Sequence, residues 1–377
     1  MLHALYPIHM ISLPTNMVFL RKIALTNFKN HGYREFHFSK KFGAFVGQNG
    51  VGKTNLLDLI YFLSLTKSYF NLTDQQLIKW NEAFSRIEAQ LEQGSETLLL
   101  QVKIPQNKRK EISVNDVVCA KVADFIGTIP LVIMSPEDSE IIQGGSEDRR
   151  RLFDTILAQV DAGYLESLMQ YNKMLEQRNS LLKMKAERPG TDLSILEFYN
   201  RNMAESGSYI YTKRCDLFHR FEAVFQNFYA QISDGKEQVN WHYVSQLSGM
   251  NWNDLFAQNL QKDLLLQRTS AGIHRDDFEF TIHGEKIKKF GSQGQQKSFT
   301  IALKLSLYQY LSEMKCLLPI LLIDDLFDKL DTKRMQQLIR ILQQGDFGQI
   351  FMSDTDPIRL AKAFEENMDD IEIFMID

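Results

Sequence analysis

The sequence has 377 residues, of which 44% are hydrophobic and 24% charged, and its formal net charge at pH 7 is −4. These values are typical of a soluble globular protein with a large core and two domains, and no segment of the sequence approaches the uninterrupted apolar length of a membrane span. The negative net charge gives no indication of nucleic-acid binding, so any basic surface must be local.

The chain begins with a segment that does not resemble a targeting signal. Residues 1–16 lack the basic region and the small-residue cleavage site of a signal peptide. Met17 opens the first plausible strand, so we expect residues 1–16 to be a dispensable extension. Alternating apolar residues then predict three strands within 17–46, the last of which leads into a glycine-rich loop.

This loop, "GQNGVGKT" at 47–54, matches the P-loop pattern G-x-x-x-x-G-K-[ST]. Its backbone N–H groups would hold the β- and γ-phosphates of a nucleotide, Lys53 would place a positive charge on them, and Thr54 would bind Mg²⁺ through its hydroxyl oxygen. A glycine-rich turn with an exposed lysine is the alternative, but a strand precedes the loop and a helical pattern follows it. The predicted nucleotide-binding residues here are Gly47, Gln48, Asn49, Gly50, Val51, Gly52, Lys53, Thr54 and Asn55.

Further along the chain, the pattern changes from strand to helix and back. "LLLQVKI" and "LVIMS" are strand candidates, and long helical stretches then run from about Ser146 to Asp234, with a break at Pro189-Gly190 and Asp192 placed to cap the second helix. These stretches predict a compact helical arm. Strands return with "VNWHYVSQ" and "DDFEFTIHGEKIKKF", the latter a predicted hairpin.

A second chemical motif, "GSQGQQKS" at 291–298, stands where a helix is predicted to start near Gln293. Ser292 and Gly294 at a helix start form an anion-binding site, although an ordinary N-cap serine is the alternative. The third motif, "ILLIDD" at 320–325, is a buried strand that ends in two carboxylates. Asp324 is predicted to bind Mg²⁺ and Asp325 to polarise the attacking water, whereas a loop-capping aspartate is the alternative.

The order of these three motifs resembles that of ABC-type ATPases, whose signature motif reads L-S-G-G-Q. Several other stretches, "ALTNFKNH", "SPEDSEIIQGGSEDRRRLFD", "YNKMLEQRNSLLK", "HRDDFEF" and "ILLIDDLFDKLD", resemble the RecF family, and the resemblance covers essentially the whole chain from Met17. It implies an α/β fold, an ABC-type P-loop ATPase head with mixed sheets and an inserted α-helical second lobe. It also implies a weak, DNA-linked ATPase that acts in recombinational repair and replication restart at single-strand gaps, with RecO and RecR as partners.

In such a protein, ATP joins two monomers. The resemblance implies that each nucleotide, with Mg²⁺, lies between Gly47–Thr54 of one chain and Ser292–Gln295 of the other, with Asp331 at the same interface. The implied division is a head segment at 17–145, the helical lobe at 146–235 and a second head segment at 236–377. Several positions depart from the pattern. Gly291 and Gln293 replace the leucine and the first glycine of the signature motif, Ile273 replaces a common proline, and "GQIFMSDTD" carries no histidine where transporters place their switch histidine. Asp328 replaces the usual serine of the D-loop, and Asp325 stands where many ABC ATPases have glutamate, which favours slow hydrolysis.

The DNA partner, single-stranded or gapped, is implied by the resemblance alone. Basic clusters at 108–110, 149–151 and 286–289 would suffice for phosphate contacts, but each has acidic neighbours, so a solvated charged face is the default interpretation. His274 is predicted to be structural. For Asn27 and Lys29, an edge-strand role and a contact to adenine remain equally open.

The compartment and the alternatives follow from the same features. The cysteines are far apart and form no C-x-x-C pair, which favours reduced thiols in a cytoplasmic protein without membrane attachment: Cys119, Cys215 and Cys316. Two other functions remain open. One is a different ABC-like ATPase acting on DNA, of the SMC or overcoming-lysogenization type, and the other is a scaffold that binds nucleotide without turning it over.

Overall fold

The computed structural model describes residues 17–233, 235, 237–326, 331–364 and 370–377. Its first part is mostly strand, with the first helix following the glycine-rich loop. The elements in chain order are β1 (Val18–Phe28), β2 (His31–His37), β3 (Phe42–Val46), α1 (Lys53–Leu65), β4 (Phe84–Gln93), β5 (Glu96–Pro105), β6 (Glu111–Val114), β7 (Val117–Val118) and β8 (Leu131–Met134).

The middle of the chain is mostly helical and the last part alternates between strands and helices. The middle elements are α2 (Ser139–Gln143), α3 (Ser146–Val160), α4 (Ala162–Glu187), α5 (Leu196–Ser233), β9 (Val239–Val244) and α6 (Trp252–Leu266). The last are β10 (Asp277–Ile282), β11 (Glu285–Lys286), α7 (Ile287–Phe290), α8 (Gln293–Lys315), β12 (Ile320–Ile323), α9 (Thr332–Gln344), β13 (Ile350–Asp354), α10 (Pro357–Ala363) and β14 (Ile371–Met375).

A five-stranded parallel sheet forms the centre of the head, in the order β14-β3-β13-β12-β8. All residues of β3, β8, β12 and β13 are buried, as expected for parallel strands covered on both faces. Helix α1 packs on this sheet. Because the strands are parallel, the residues that follow β3, β8, β12 and β13 meet at one edge, where ligands bind in such sheets.

A six-stranded antiparallel sheet, β2-β1-β4-β5-β6-β7, forms a second layer. Strand β4 alternates between buried and more exposed residues, so one of its faces packs on the core. Gln349, which is fully buried just before β13, joins this layer to the parallel sheet. Its side chain accepts a hydrogen bond from Leu20 N (2.7 Å) and donates one to Leu20 O (3.1 Å).

Helices α4 and α5 pack together as the predicted helical arm, and α5 continues along α8 of the head. Arg214 of α5 ties the arm to its surroundings, because its guanidinium contacts Asp154 (2.9 Å) and Asp276 (3.1 Å). Helix α6 packs on α4, where Arg178 forms a fully buried ion pair with Asp263 (2.7 Å). The lobe boundary at residue 235 stays a prediction.

Of the local predictions, one was confirmed in part, one was wrong and two lie outside the described residues. The predicted hairpin is present, because β10 and β11 pair antiparallel on either side of His283-Gly284. Its second strand is short: β11 has only two residues and α7 begins at Ile287, whose side chain is buried. Asp192 does not cap α5; it accepts hydrogen bonds from Ser194 in the turn before that helix. The extension at 1–16 and Asp328 fall outside the described residues.

Candidate functional site: a P-loop and a signature turn

The P-loop adopts backbone conformations that depend on its glycines. Gly50 and Gly52 have φ values of 91° and 105°, in the region that residues with a side chain rarely occupy. A Cβ on Gly52 would lie 2.5 Å from Asn30 Nδ2, so the β1–β2 turn packs closely on this residue. Asn30 also donates a hydrogen bond to Val51 O (3.1 Å). The glycines therefore allow the backbone conformation of the loop, and the β1–β2 turn packs against it and stabilises it.

Lys53 begins α1 and is buried, with 3% of its surface exposed. Its ammonium group donates a hydrogen bond to Gln48 O at the start of the loop (3.0 Å). A buried lysine that contacts a carbonyl rather than a carboxylate has charge available for an anion. The placement suits a role on nucleotide phosphates.

Thr54 and the acidic residues after β12 meet at the edge of the parallel sheet. Thr54 Oγ1 donates a hydrogen bond to Asp324 Oδ1 (2.9 Å), and Ser353 Oγ at the end of β13 donates to the same carboxylate oxygen (2.7 Å). Burial raises the pKa of Asp324, although both hydroxyl groups act against it. Asp325 is half-buried beside Ser353, whose Oγ also accepts from Asp325 N (2.9 Å).

These oxygens fit Mg²⁺, which prefers hydroxyl, carboxylate and phosphate ligands. Within the described ranges, no group of three or more His, Cys, Asp or Glu side chains is placed to hold a metal ion. A Mg²⁺ ion bound together with a nucleotide needs only one or two protein ligands, because phosphates and water complete its shell. Thr54 and Asp324 would be those ligands.

A buried ion pair supports the P-loop helix from the side of the β1–β2 turn. Lys29 Nζ contacts Asp58 Oδ2 of α1 (2.7 Å) with side-chain exposures of 8% and 0%, and it donates a hydrogen bond to Asn55 Oδ1 (3.1 Å). His31 Nε2 lies 3.2 Å from Gly52 O, and burial lowers the pKa of the His31 ring. Lys29 therefore has a structural partner, and its contact to adenine stays a prediction.

The signature turn is the N-terminus of α8. Ser292 is the N-cap residue: its Oγ accepts from Gln295 N (3.2 Å), and Gln295 Oε1 accepts from Ser292 N (2.7 Å). This reciprocal pair is a capping box, which explains why the helix begins at Gln293. The N-cap interpretation and the anion-binding interpretation of Ser292 are compatible, because the exposed helix start still presents free N–H groups.

Asp331 lies beside the signature turn. It caps α9 by accepting from Arg334 N (3.0 Å), and its carboxylate pairs with the Arg334 guanidinium. Arg334 Nε donates to Ser298 Oγ of α8 (2.9 Å), and its Nη1 lies 2.8 Å from where a Cβ of Gly294 would be. Gly294 therefore makes room for an arginine, which the sequence motif did not reveal.

The structure thus forms two groups of predicted site residues. One joins the P-loop to Asp324 and Asp325, and the other joins Ser292, Gly294 and Gln295 to Asp331. No hydrogen bond in the described part of the chain links one group to the other. Ser353 and Arg334 were missed by the sequence motifs, because their positions depend on contacts between distant segments. Lys29 was singled out in the sequence, but its ion pair with Asp58 was not predicted.

Several other predicted residues have internal partners. His274 Nδ1 lies 2.8 Å from the Tyr171 hydroxyl, and burial lowers its pKa to about 4, so the ring is neutral at pH 7. Arg149 forms a two-bond contact with Asp277 (2.7 and 3.0 Å). The other basic residues of the three clusters differ in whether their side chains bind a protein acceptor. Hydrogen bonds to protein acceptors are made by Arg150, Arg151, Lys110, Lys286 and Lys288, whereas Lys108, Arg109 and Lys289 are exposed.

Comparison with known proteins shows which family the chain is similar to. The model of the RecF/RecN/SMC N-terminal domain family matches residues 19–369. Two relatives are named DNA replication and repair protein RecF. The one from Cytophaga hutchinsonii is 40% identical over 96% of this chain and 95% of its own length. The one from Flavobacterium johnsoniae is 41% identical over 94% of this chain and 99% of its own length.

Solved structures are also similar to this chain, and they include a RecF structure. A structure of the recombination mediator protein RecF-ATPrS in the RecFOR pathway superposes with a TM-score of 0.85 at 28% identity and covers 97% of both chains. An Smc head domain from Pyrococcus furiosus superposes with a TM-score of 0.54 at 17% identity and 92% coverage of both chains, which shows a shared fold. These matches confirm the predicted fold class, an ABC-type ATPase head with an inserted helical lobe. In the described part of the chain, no helix is both long and apolar enough to cross a bilayer.

Proposed function

We propose a function from the premise that this chain belongs to the RecF family: it binds and hydrolyses ATP in DNA replication and recombinational repair. The observation that carries the proposal is the contact between Thr54 and Asp324 (2.9 Å), which brings the P-loop and the acidic strand end to one site. A nucleotide-binding scaffold without turnover is less well supported, because both carboxylates and Lys53 stand at that site.

Each residue of the site has a proposed role. The P-loop N–H groups and Lys53 bind the β- and γ-phosphates, and they stabilise the charge that develops on the transferred phosphoryl group. Thr54 and Asp324 hold Mg²⁺, which supplies further charge neutralisation at the phosphates when it is bound. Asp325 orients and polarises the attacking water. A carboxylate on the short Asp side chain reaches less far than that of Glu, and we therefore propose slow hydrolysis.

The second group of residues, Ser292 to Gln295 with Asp331, has no nucleotide role within its own chain in this proposal. We propose that ATP joins two copies, so that the signature turn of one copy contacts the triphosphate held by the P-loop of the other. The N–H groups at the start of α8 and the Ser292 hydroxyl are suited to an anion. ATP binding would then close the dimer and hydrolysis would open it.

We further propose that the dimer binds DNA at single-strand gaps in the cytoplasm, with RecO and RecR as partners. Contacts to DNA phosphates would come from exposed basic residues, for which Lys108, Arg109 and Lys289 are candidates. Arg149 to Arg151 are poorer candidates, because their guanidinium groups contact protein acceptors. DNA affinity should fall steeply with salt, since such contacts release counterions.

Light scattering during gel filtration, with and without ATP, tests this proposal. The unmodified protein should be monomeric without ATP and dimeric with it. Ser292→Arg should bind ATP as a monomer but fail to dimerise, because the longer side chain fills the space for the triphosphate. Ser180→Arg makes the same change on an exposed face of α4 and serves as the control. An identical dimer fraction with and without ATP would refute the proposed switch.

A further inference from the structure

The side-chain amide of Gln295 has hydrogen-bond partners at both of its ends. Its oxygen accepts from Ser292 N (2.7 Å), and its nitrogen donates to Glu237 Oε1 (2.8 Å). Glu237 lies in the connection between α5 and β9, 58 residues earlier in the chain. Gln295 is therefore engaged as a brace within its own chain rather than presented as a free ligand.

Glu237 is itself held by the helical arm. Its second carboxylate oxygen accepts a hydrogen bond from the Tyr229 hydroxyl. Tyr229 belongs to the last turns of α5 and is 1% exposed, and its ring lies 6.1 Å from that of Phe299 in α8. A continuous set of contacts thus runs from α5 through Tyr229, Glu237 and Gln295 to Ser292.

The chemistry of a carboxylate explains why an acid suits this position. An ionised carboxylate only accepts hydrogen bonds, so it selects the nitrogen end of the Gln295 amide. The oxygen end must then face Ser292 N, which is the orientation that closes the capping box. An amide at position 237 would accept either orientation of Gln295, because it carries a donor and an acceptor.

The orientation of Gln295 has a consequence for Ser292. Ser292 Oγ accepts from Gln295 N (3.2 Å), and its hydroxyl hydrogen is left to donate outward from the helix start. A capping box that is held in one arrangement therefore gives a hydroxyl donor of fixed position. Such a preorganised donor binds a developing or resting anion without further loss of freedom.

We infer that Glu237, oriented by Tyr229, is a positioning residue that fixes Gln295 and so sets Ser292 for the triphosphate of a partner copy. This inference rests on the proposed ATP-dependent dimer. It also makes the end of α5 part of the nucleotide interface, so that the helical arm and the signature turn are both coupled to ATP binding by the partner copy.

Glu237→Gln tests the inference, because it keeps the size of the side chain but loses the acceptor-only character. Glu222→Gln makes the same change at an exposed position of α5 and is the control. Tyr229→Phe removes only the hydroxyl that orients Glu237. The measurements are the dimer dissociation constant with ATP by sedimentation and the affinity of dilute monomer for a fluorescent ATP analogue.

We expect Glu237→Gln to weaken the dimer about fivefold per nucleotide and roughly 25-fold for two sites, because the Gln295 amide is then no longer held in the one orientation that sets Ser292, and this orientation must be recovered on binding. Tyr229→Phe should weaken it less, and both variants should leave the monomer affinity for the analogue at the control value, while the urea midpoint falls modestly because each variant weakens a hydrogen bond of the folded monomer. An unchanged dimer constant in Glu237→Gln, or an equal loss of monomer affinity, would overturn the inference alone. Absence of an ATP-dependent dimer in the unmodified protein would overturn the proposed function with it.

Discussion

Replacing Arg214 by methionine should be among the most damaging single changes outside the nucleotide site. The guanidinium is 1% exposed and contacts Asp154 of α3, Asp276 before β10 and the carbonyl of Ile273. Methionine fills most of the volume but leaves these acceptors without their cation. The arm would then lose its main polar connection to α3 and β10.

The expected cost is about 3–5 kcal/mol of the free energy of unfolding, the range for removing one partner of a buried ion pair. Asp276 accounts for most of it, because its side chain is 1% exposed. Arg151→Met is the matched control on α3. Its partner Asp148 is 30% exposed and Arg151 itself is 49% exposed, so the loss there should stay below about 1 kcal/mol.

The cost should also depend on pH. Burial raises the pKa of Asp276 above its ordinary value even with Arg214 present, and removal of Arg214 should raise it further. A carboxyl group with a raised folded pKa contributes stability at low pH that is lost as the pH rises through that pKa. The destabilisation by Arg214→Met should therefore be larger at pH 8 than at pH 5.

Urea unfolding followed by circular dichroism at both pH values measures these differences. Each variant is compared with the unmodified protein at the same pH, so that other titrating groups contribute equally. A destabilisation below about 1 kcal/mol at pH 8 would contradict the assigned role of the ion pair. Equal destabilisation at pH 8 and pH 5 would contradict the assignment of the cost to an ionised Asp276.

Two further predictions concern the site and a structural histidine. Gly52→Ala should lower ATP affinity at least tenfold and cost about 1–3 kcal/mol of the free energy of unfolding, because φ is 105° and the new Cβ would lie 2.5 Å from Asn30 Nδ2. The control is Gly50→Ala, whose Cβ meets no atom within 4 Å and which should therefore cost less. Equal effects of the two variants in ATP titrations and urea unfolding would contradict this prediction. His274, with a pKa of about 4, lowers the free energy of unfolding as the pH falls from 6.5 towards 4, since the unfolded chain binds the proton first. We expect His274→Gln to remove about 2 kcal/mol of the difference between pH 7 and pH 5, and an unchanged difference in urea unfolding would show that His274 is not responsible.

Local patterns predicted the elements that carry their own signals. The three strands before the P-loop follow from alternating apolar residues, and α8 begins at Gln293 as expected, because Ser292 and Gln295 form a capping box. The hairpin of β10 and β11 was also predicted, but the length of its second strand was not. Ile287 is buried, and the chain forms a helical turn there instead of extending a hairpin.

The sequence motifs did not predict contacts between segments that are distant in the chain. Ser353 contacts Asp324 and Asp325, but no sequence motif pointed to Ser353 as a site residue. The arginines at 149–151 were considered for DNA, although Arg149 is bound to Asp277, 128 residues away. The candidate site could be outlined from three motifs, whereas its supporting side chains required the folded chain.

The order of the parallel sheet has a consequence for synthesis on the ribosome. Strand β3 emerges early, but its two neighbours, β13 and β14, lie at residues 350–375. At about 5–20 residues per second, the roughly 300 residues between Val46 and Ile350 take on the order of half a minute to translate. During that time β3, the strand before the P-loop, has neither of its neighbours in the parallel sheet. The helices of the arm contact each other locally and are able to pack first.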